Sequence, residues 1–481
     1  MQVTDDLCRA TAREHIDLLA AGTISARELL QLHLDRIDQV NDRVNAVVSI
    51  DRDIAEAAAD ASDARRAAGQ LRSPLDGLPT AFKDLEDAAG FRTTRGSRRF
   101  ADNISTSDSD VVARMRGAGM VPIGKTNTPE FGTGSHTIND VFGPTRNPYD
   151  PTRSAGGSSG GAAAALAAGM VSVADGSDMG GSLRNPASFC NVVGFRPTPG
   201  VVPMSPGGDL WNTLPVKGPM GRTVRDAALL LSVIAGESPR SPITFPGDGS
   251  RFARVAEEAP DQSILAGLRV LWSPSVGGLA IDPAVRRVLE ERAVPELRAA
   301  GATVIENSLE AELAGIDEAF RTPRAHGYAA GFRDAVATTP EILAPELVAN
   351  TTWGLSLTAT DLARADELRT QAFARFAELF TEVDVIAAPA ATVPPFPVEE
   401  RWVREVDGVP QNDYLDWMRA AWRFTPLGGA SMSVPCGFTD EGLPVGLQLV
   451  TAPRRDEFLL RVAAAFEERV PAWREAPAIL G

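Results

Sequence analysis

The chain has 481 residues, 44% of them hydrophobic, enough for a large buried core and, on length alone, for two or three domains. Its 63 acidic and 47 basic side chains leave a net charge of −16, which argues against a nucleic-acid partner, because a phosphate backbone needs clustered lysine and arginine. Cys8, Cys190 and Cys436 are too few and too far apart for a disulfide framework or a CxxC metal site, and neither a basic leader nor an apolar run of about 18 residues occurs, so a soluble, cytoplasmic protein away from membranes is expected.

Ser25 and Glu28 form a capping-box signal, and Leu29, Leu30, Leu32, Leu34, Ile37 and Val40 recur behind it at near-helical spacing, which predicts an amphipathic helix over 25–40. A helix rich in Ala and Asp is expected over about 52–68, followed by LDGLPTAFKDLED, a turn that enters a strand. Next come a helix near 109–118, a strand MVPIGKT, an Ala-rich helix near 160–168, a strand MVSVADG and a helix TVRDAALLLSVIAG. Such alternation predicts an α/β protein with a mostly parallel central sheet covered by helices. From residue 237 the texture changes to a Pro-, Ser- and Gly-rich loop, then short strands LRVLWSP and ATVIENS among helices with little motif content, so 237 to about 362 reads as a variable insert. A long helix near 361–382, strands VDVIAAP and LPVGLQLVTAP, and a final helix over 456–469 complete the chain.

The Gly- and Ser-rich stretch over 154–186 has three readings: a phosphate cradle, a linker, or a site of covalent chemistry. Gly119 to Thr126 does satisfy the G-x-x-x-x-G-K-[ST] pattern, but a helix precedes it, Pro122 has no N–H to offer and Pro129 follows soon after, which is the wrong context for a phosphate loop. A linker would not lead into AAAALAAGMVSVAD, which looks buried. Acyl transfer does need a nucleophile beside uncovered backbone amides, and Met179-Gly180-Gly181-Ser182 offers both, with Ser182 as the nucleophile. The base is less obvious. His15, His33, His136 and His326 have no second histidine at ligand spacing, so a metal site is not expected, and His15 and His33 read as structural. Lys83 could serve if burial removed its charge, or could equally be a surface lysine paired with Asp84 or Asp87; His136 is the rival base. Arg184 suits an ion pair with Asp178 better than a substrate anchor, and Cys190 reads as a small buried hydrophobe.

The motifs GGSSGG (156–161), GSDMGGSLRNP (176–186) and GFRPT (194–198), with GLPTAFKD, GKTNTPEFG, GPMGRTVRDAALLL and GLPVGLQLV around them, resemble the amidase signature family of serine amidohydrolases over roughly 75–235 and 365–481. The resemblance implies a single large α/β domain over 1–481 with a mixed central β-sheet flanked by helices: N-terminal helices over 1–70, a catalytic core over 71–236 and 363–481, and the insert 237–362 lining the substrate pocket. It implies Lys83, Ser158 and Ser182 as the catalytic set, a cis peptide bond between Gly157 and Ser158, and the backbone amides of Met179, Gly180, Gly181 and Ser182 as the oxyanion hole. Gly132, Thr133, His136 and Trp211 are expected at the substrate, and Trp353, Trp402, Trp417 and Trp422 in the pocket walls, which would favour an aromatic or apolar substrate. The implied reaction is hydrolysis of a carboxamide, an aryl or alkyl amide with ester or carbamate cleavage alongside, through an acyl-enzyme on Ser182. No cofactor or metal is implied, the partner is a small-molecule amide, a homodimer is allowed, and the alternative is a glutaminase-type subunit of a tRNA-dependent amidotransferase.

Overall fold

The computed structural model of the chain describes residues 7–205 and 209–480. Two capped helices open it. In α1 (Ala12–Ala20) and α2 (Ala26–Val44), Thr11 with Glu14 and Ser25 with Glu28 satisfy the first free amides reciprocally, and α2 buries the predicted apolar stripe, Leu32 only half, before Asn45 ends it in the left-handed region at φ 55°. A short strand β1 (Val47–Ile50) follows, then helix α3 (Arg52–Ala67), capped by Asp51.

The alternation expected next is present as β2 (Pro79–Lys83), α4 (Asp110–Gly117), β3 (Val121–Thr126), α5 (Gly160–Ala167), β4 (Val173–Asp178), α6 (Arg184–Phe189), β5 (Val193–Arg196), β6 (Val216–Gly221) and α7 (Val224–Ile234). Beyond it lie α8 (Ser250–Glu257), β7 (Arg269–Trp272), α9 (Pro283–Ala299), β8 (Thr303–Glu306), and three helices, α10 (Ile316–Thr338), α11 (Pro345–Ser356) and α12 (Ala359–Glu382). Strand β9 (Val385–Pro389), the hairpin β10 (Glu405–Val406) and β11 (Val409–Pro410), α13 (Arg419–Trp422), β12 (Ser431–Phe438), β13 (Pro444–Val450) and α14 (Asp456–Arg469) complete it.

Eleven strands form one sheet in the order β1-β3-β2-β4-β6-β5-β12-β13-β9-β7-β8. The sheet is mixed: β2 runs parallel to β3 and β4, and β7 parallel to β8 and β9, while β6, β5, β12 and β13 connect these two parallel parts through antiparallel pairs. Strands β7 and β8 come from 237–362, so this segment extends the common sheet as well as carrying α10 and α11. Helix α5 lies at the centre, all eight of its residues buried against β2 and β4. Its packing requires glycine at 161, where a Cβ would stand 2.3 Å from the Asn127 amide nitrogen. Among the described residues no helix is long and apolar enough to cross a membrane.

Candidate active site

Parallel strands β2 and β4 are neighbours in the sheet, with Ala81 beside Ala174, and both deliver functional groups at their C-terminal ends. Lys83 is the last residue of β2 and is fully buried. Its Nζ lies 2.8 Å from Ser158 Oγ, 2.8 Å from Ser159 Oγ and 3.0 Å from Ser177 Oγ. Burial, which penalises the ammonium, lowers Lys83 from the ordinary 10.5 to about 7, although Asp175, Glu86 and Asp178 pull the other way. An ammonium donates to all three hydroxyls, whereas a neutral amine has two N–H bonds and a lone pair, so one hydroxyl must then turn and donate to it. Ser159 is committed, since its Oγ donates to the Ser177 carbonyl and accepts the Ser177 N–H. Ser158 has no such commitment and faces the cavity.

Ser158 sits in the loop that leads into α5, and the Gly157–Ser158 peptide bond is cis. His136 supports this loop from behind. Its Nε2 donates to the Val398 carbonyl at 2.9 Å, which leaves Nδ1 to accept from the Ser154 hydroxyl at 2.7 Å, and Ser154 Oγ in turn accepts the Gly156 N–H.

The turn after β4 is organised by Asp178. Its carboxylate accepts the N–H groups of Gly181 and Leu183 at 3.0 and 3.1 Å and pairs with Arg184 through two bonds of 2.9 and 3.0 Å. Burial alone would push Asp178 up, but Arg184 and Arg196 hold it well below the usual carboxylate range. Gly181 takes φ +99°, open to glycine and strained for other residues, and this places Ser182 at the cavity wall. The Ser182 carbonyl accepts the Ser159 N–H at 3.2 Å, which ties the two serine-bearing loops together.

A cavity of about 230 Å³ opens over these groups, with Ser158, Ser177, Met179, Gly180 and Ser182 in its floor. Among the described residues, the amides of Met179, Gly180 and Ser182 have no acceptor within the protein, while that of Gly181 is taken by Asp178. Gly181 therefore leaves the expected oxyanion set. Such a floor can deprotonate a hydroxyl, hold a developing oxyanion on backbone N–H groups and return a proton to a leaving atom.

Of the residues expected at the substrate, Gly132 lines the cavity and three do not. Thr133 is buried behind Tyr328, whose hydroxyl it meets at 2.8 Å. His136 is engaged in supporting the Ser158 loop, as described. Trp211 is 73% exposed, on a surface loop. The other tryptophans also depart from expectation. Trp417 and Trp422 are core residues, stacked on Phe189 and Phe320, while Trp353 and Trp402 line a separate surface cleft with Tyr414. The apolar wall of the cavity comes instead from Leu85, Phe131, Met204, Leu415 and Met418. Arg184 belongs to its ion pair with Asp178, and Cys190 is buried with its thiol pushed well up by burial.

Sequence reasoning missed Ser177, Lys217, Arg324, Tyr328 and Tyr414 in the cavity. Ser177 stands inside the motif that carries Ser182, and its two-residue offset from Asp175 on β4 was a usable signal. The others come from distant segments that no local pattern connects.

Comparison with known proteins agrees with this chemistry. The family model described as Amidase matches residues 28–460. The chain is 34% identical over 484 residues to an acylamidase of Rhodococcus erythropolis, covering 97% of each chain. It is 36% identical over 497 residues to a glutamyl-tRNA(Gln) amidotransferase subunit of Salinispora arenicola, covering 97% of this chain and 98% of that one. Among solved structures, a bacterial aryl acylamidase of the amidase signature enzymes superposes with a TM-score of 0.89 at 28% identity, with 98% of each chain covered.

Proposed function

The chain belongs to the amidase family and hydrolyses amide C–N bonds, and from that premise we propose that Lys83, Ser158 and Ser182 form its proton relay and nucleophile. The observation that carries this is the buried Lys83 amine, lowered to about 7 and 2.8 Å from the Ser158 hydroxyl, beneath a cavity that Ser182 also lines. Neutral Lys83 accepts the Ser158 proton as Ser158 accepts that of Ser182, whose Oγ bonds to the substrate carbonyl carbon. The amides of Met179, Gly180 and Ser182 hold the oxyanion. The relay then runs in reverse: Lys83 returns the proton through Ser158 to the leaving nitrogen, the C–N bond breaks, and an acyl ester remains on Ser182. Water attacks that ester by the same steps and releases the carboxylic acid. The same ester chemistry supports cleavage of esters and carbamates.

The apolar cavity wall supports an aryl or alkyl amide as substrate. The free, buried thiols of Cys190 and Cys436 support a reducing, cytoplasmic setting. A glutaminase-type role is the second reading, supported by the likeness to the Salinispora arenicola protein over nearly its whole length. Release of aniline from anilides, compared with release of ammonia from glutamine by the chain alone, separates the two. Ser182→Ala should abolish turnover of whichever substrate is cleaved while leaving circular dichroism and melting temperature unchanged. Retention of more than a few per cent of the rate would remove Ser182 from the nucleophile's role.

A further inference from the structure

Four charged side chains line the cavity: Glu86, Asp178, Lys217 and Arg324. Three of them are balanced. Lys217 Nζ meets Glu86 Oε2 at 2.6 Å, and Asp178 is paired with Arg184. Arg324, on α10, is 4% exposed, and among the described residues it makes no ion pair. Its guanidinium donates to Asn350 Oδ1 at 2.5 Å, to the Tyr328 hydroxyl at 3.0 Å and to the Tyr414 hydroxyl, and it lies over the Tyr328 ring at 4.3 Å.

These partners are uncharged. Asn350 Nδ2 donates to the Glu346 carbonyl and to Tyr414, so its oxygen is the atom that must face Arg324. Burial pushes the Tyr414 phenol up, which keeps it protonated. The carboxylates on the neighbouring segment are already engaged: Arg321 takes Asp413 at 2.7 Å and Asp416 at 2.5 Å. A guanidinium does not shed its proton on burial, so the cavity wall holds a positive charge without a counter-charge, a costly arrangement unless a ligand supplies the anion. Tyr414 adds a second donor. Its oxygen accepts from both Arg324 and Asn350, which leaves its own O–H without an acceptor among the described residues.

We infer that Arg324 and the Tyr414 hydroxyl form a carboxylate subsite, and that the amide cleaved here carries a carboxylate remote from the scissile bond. The Arg324 N–H groups not taken by Asn350, Tyr328 and Tyr414, beside the Tyr414 O–H, are charge-assisted and neutral donors suited to the two oxygens of a carboxylate. The sequence offered Arg184 as a conceivable anchor; the structure ties Arg184 to Asp178 and puts Arg324 at the cavity instead.

The inference rests on the amidase reading, and two matched substrate pairs test it separately from that reading. Succinanilic acid against butyranilide places the carboxylate on the acyl side, and 4-acetamidobenzoate against acetanilide places it on the amine side. In at least one pair the carboxylate-bearing member should have a kcat/KM at least tenfold higher, and both Arg324→Gln and Tyr414→Phe should cut that preference at least fivefold. Tyr414→Phe removes a single oxygen, so it decides the matter if Arg324→Gln fails to fold. A wild-type enzyme that cleaves the neutral member of both pairs as fast or faster overturns the subsite and leaves the amidase reading standing. So does a preference that survives both substitutions. If none of the four is cleaved, calorimetry on Ser182→Ala decides: binding of a carboxylate amide, but not of its neutral counterpart, supports the subsite, and equal binding or none overturns it.

Discussion

At Lys83 the sign of the pH dependence follows from which form does the work. In the proposed relay the neutral amine is the proton acceptor, and burial lowers this lysine to about 7, so kcat/KM should rise with pH through about 7 and level off above it. Lys83→Ala should remove that limb and lower the rate by several orders of magnitude, and Lys83→Arg should do no better, because a guanidinium cannot deprotonate. An unperturbed histidine would titrate in the same range, which makes His136 the competing source of such a limb. Burial lowers His136 to about 4, and both ring nitrogens are engaged by Val398 and Ser154. His136→Ala should therefore keep the limb with a reduced rate, as the Ser158 loop loosens. A profile that loses its limb in His136→Ala and keeps it in Lys83→Ala would transfer the role of base to the histidine.

Helix α5 shows how an element holds a reactive group in place. Ser158 lies two residues before its first residue, Gly160, and the N–H of Gly161 reaches the Asn127 carbonyl just after β3, so the helix start is fixed against the sheet. Gly161→Ala would force a Cβ within 2.3 Å of backbone; it should cost about 1–3 kcal/mol in denaturant unfolding and lower kcat by displacing Ser158. Gly117→Ala, at the end of α4 where nothing lies within 4 Å, is the matched control and should be neutral or slightly stabilising. Equal effects at the two positions would show that backbone approach at α5 is not limiting. The same elements show what could be read in advance. Helices α2, α5 and α12 and strands β2, β3, β4, β9 and β13 carry periodic or continuous apolar runs with capping and turn residues beside them. Strands β1, β5, β6 and β12 escaped notice. β6 holds Gly218, Pro219 and Gly221, and β12 holds Pro435 and Gly437 at a register shift, so each contains residues that ordinarily break strands, and their burial on both faces removes alternation. Helix α10 contains Pro323, which hides a 23-residue helix from a reading by propensity. Lys83, Ser158 and Ser182 were legible through motifs, whereas Arg324 and Tyr414 meet only because two separate segments fold over the same opening.

For the molecule as a whole, residues 237–362 are structural as well as lining. Leu271, Val276, Leu309, Leu313 and Ile316 from this segment share one buried cluster with Phe376, Val383, Ile386 and Val450 from beyond it, and β7 covers the edge of β9. Replacing 237–362 with a short Gly/Ser linker should thus give an unfolded or aggregated chain by circular dichroism and gel filtration; a soluble, cooperatively melting product would show that the remainder folds alone. The cavity has a further property of this scale. Its proposed proton path lies within residues 83–182, which also give Leu85 and Phe131 to the wall, while Arg324, Tyr328, Tyr414, Leu415 and Met418 face it from α10 and from the segment just before α13. The opposite wall is thus written in a different stretch of the chain from the reacting groups. A new substrate can be met by new side chains on that stretch while the first stays as it stands, so one hydrolytic machine can be passed from amide to amide with its chemistry intact.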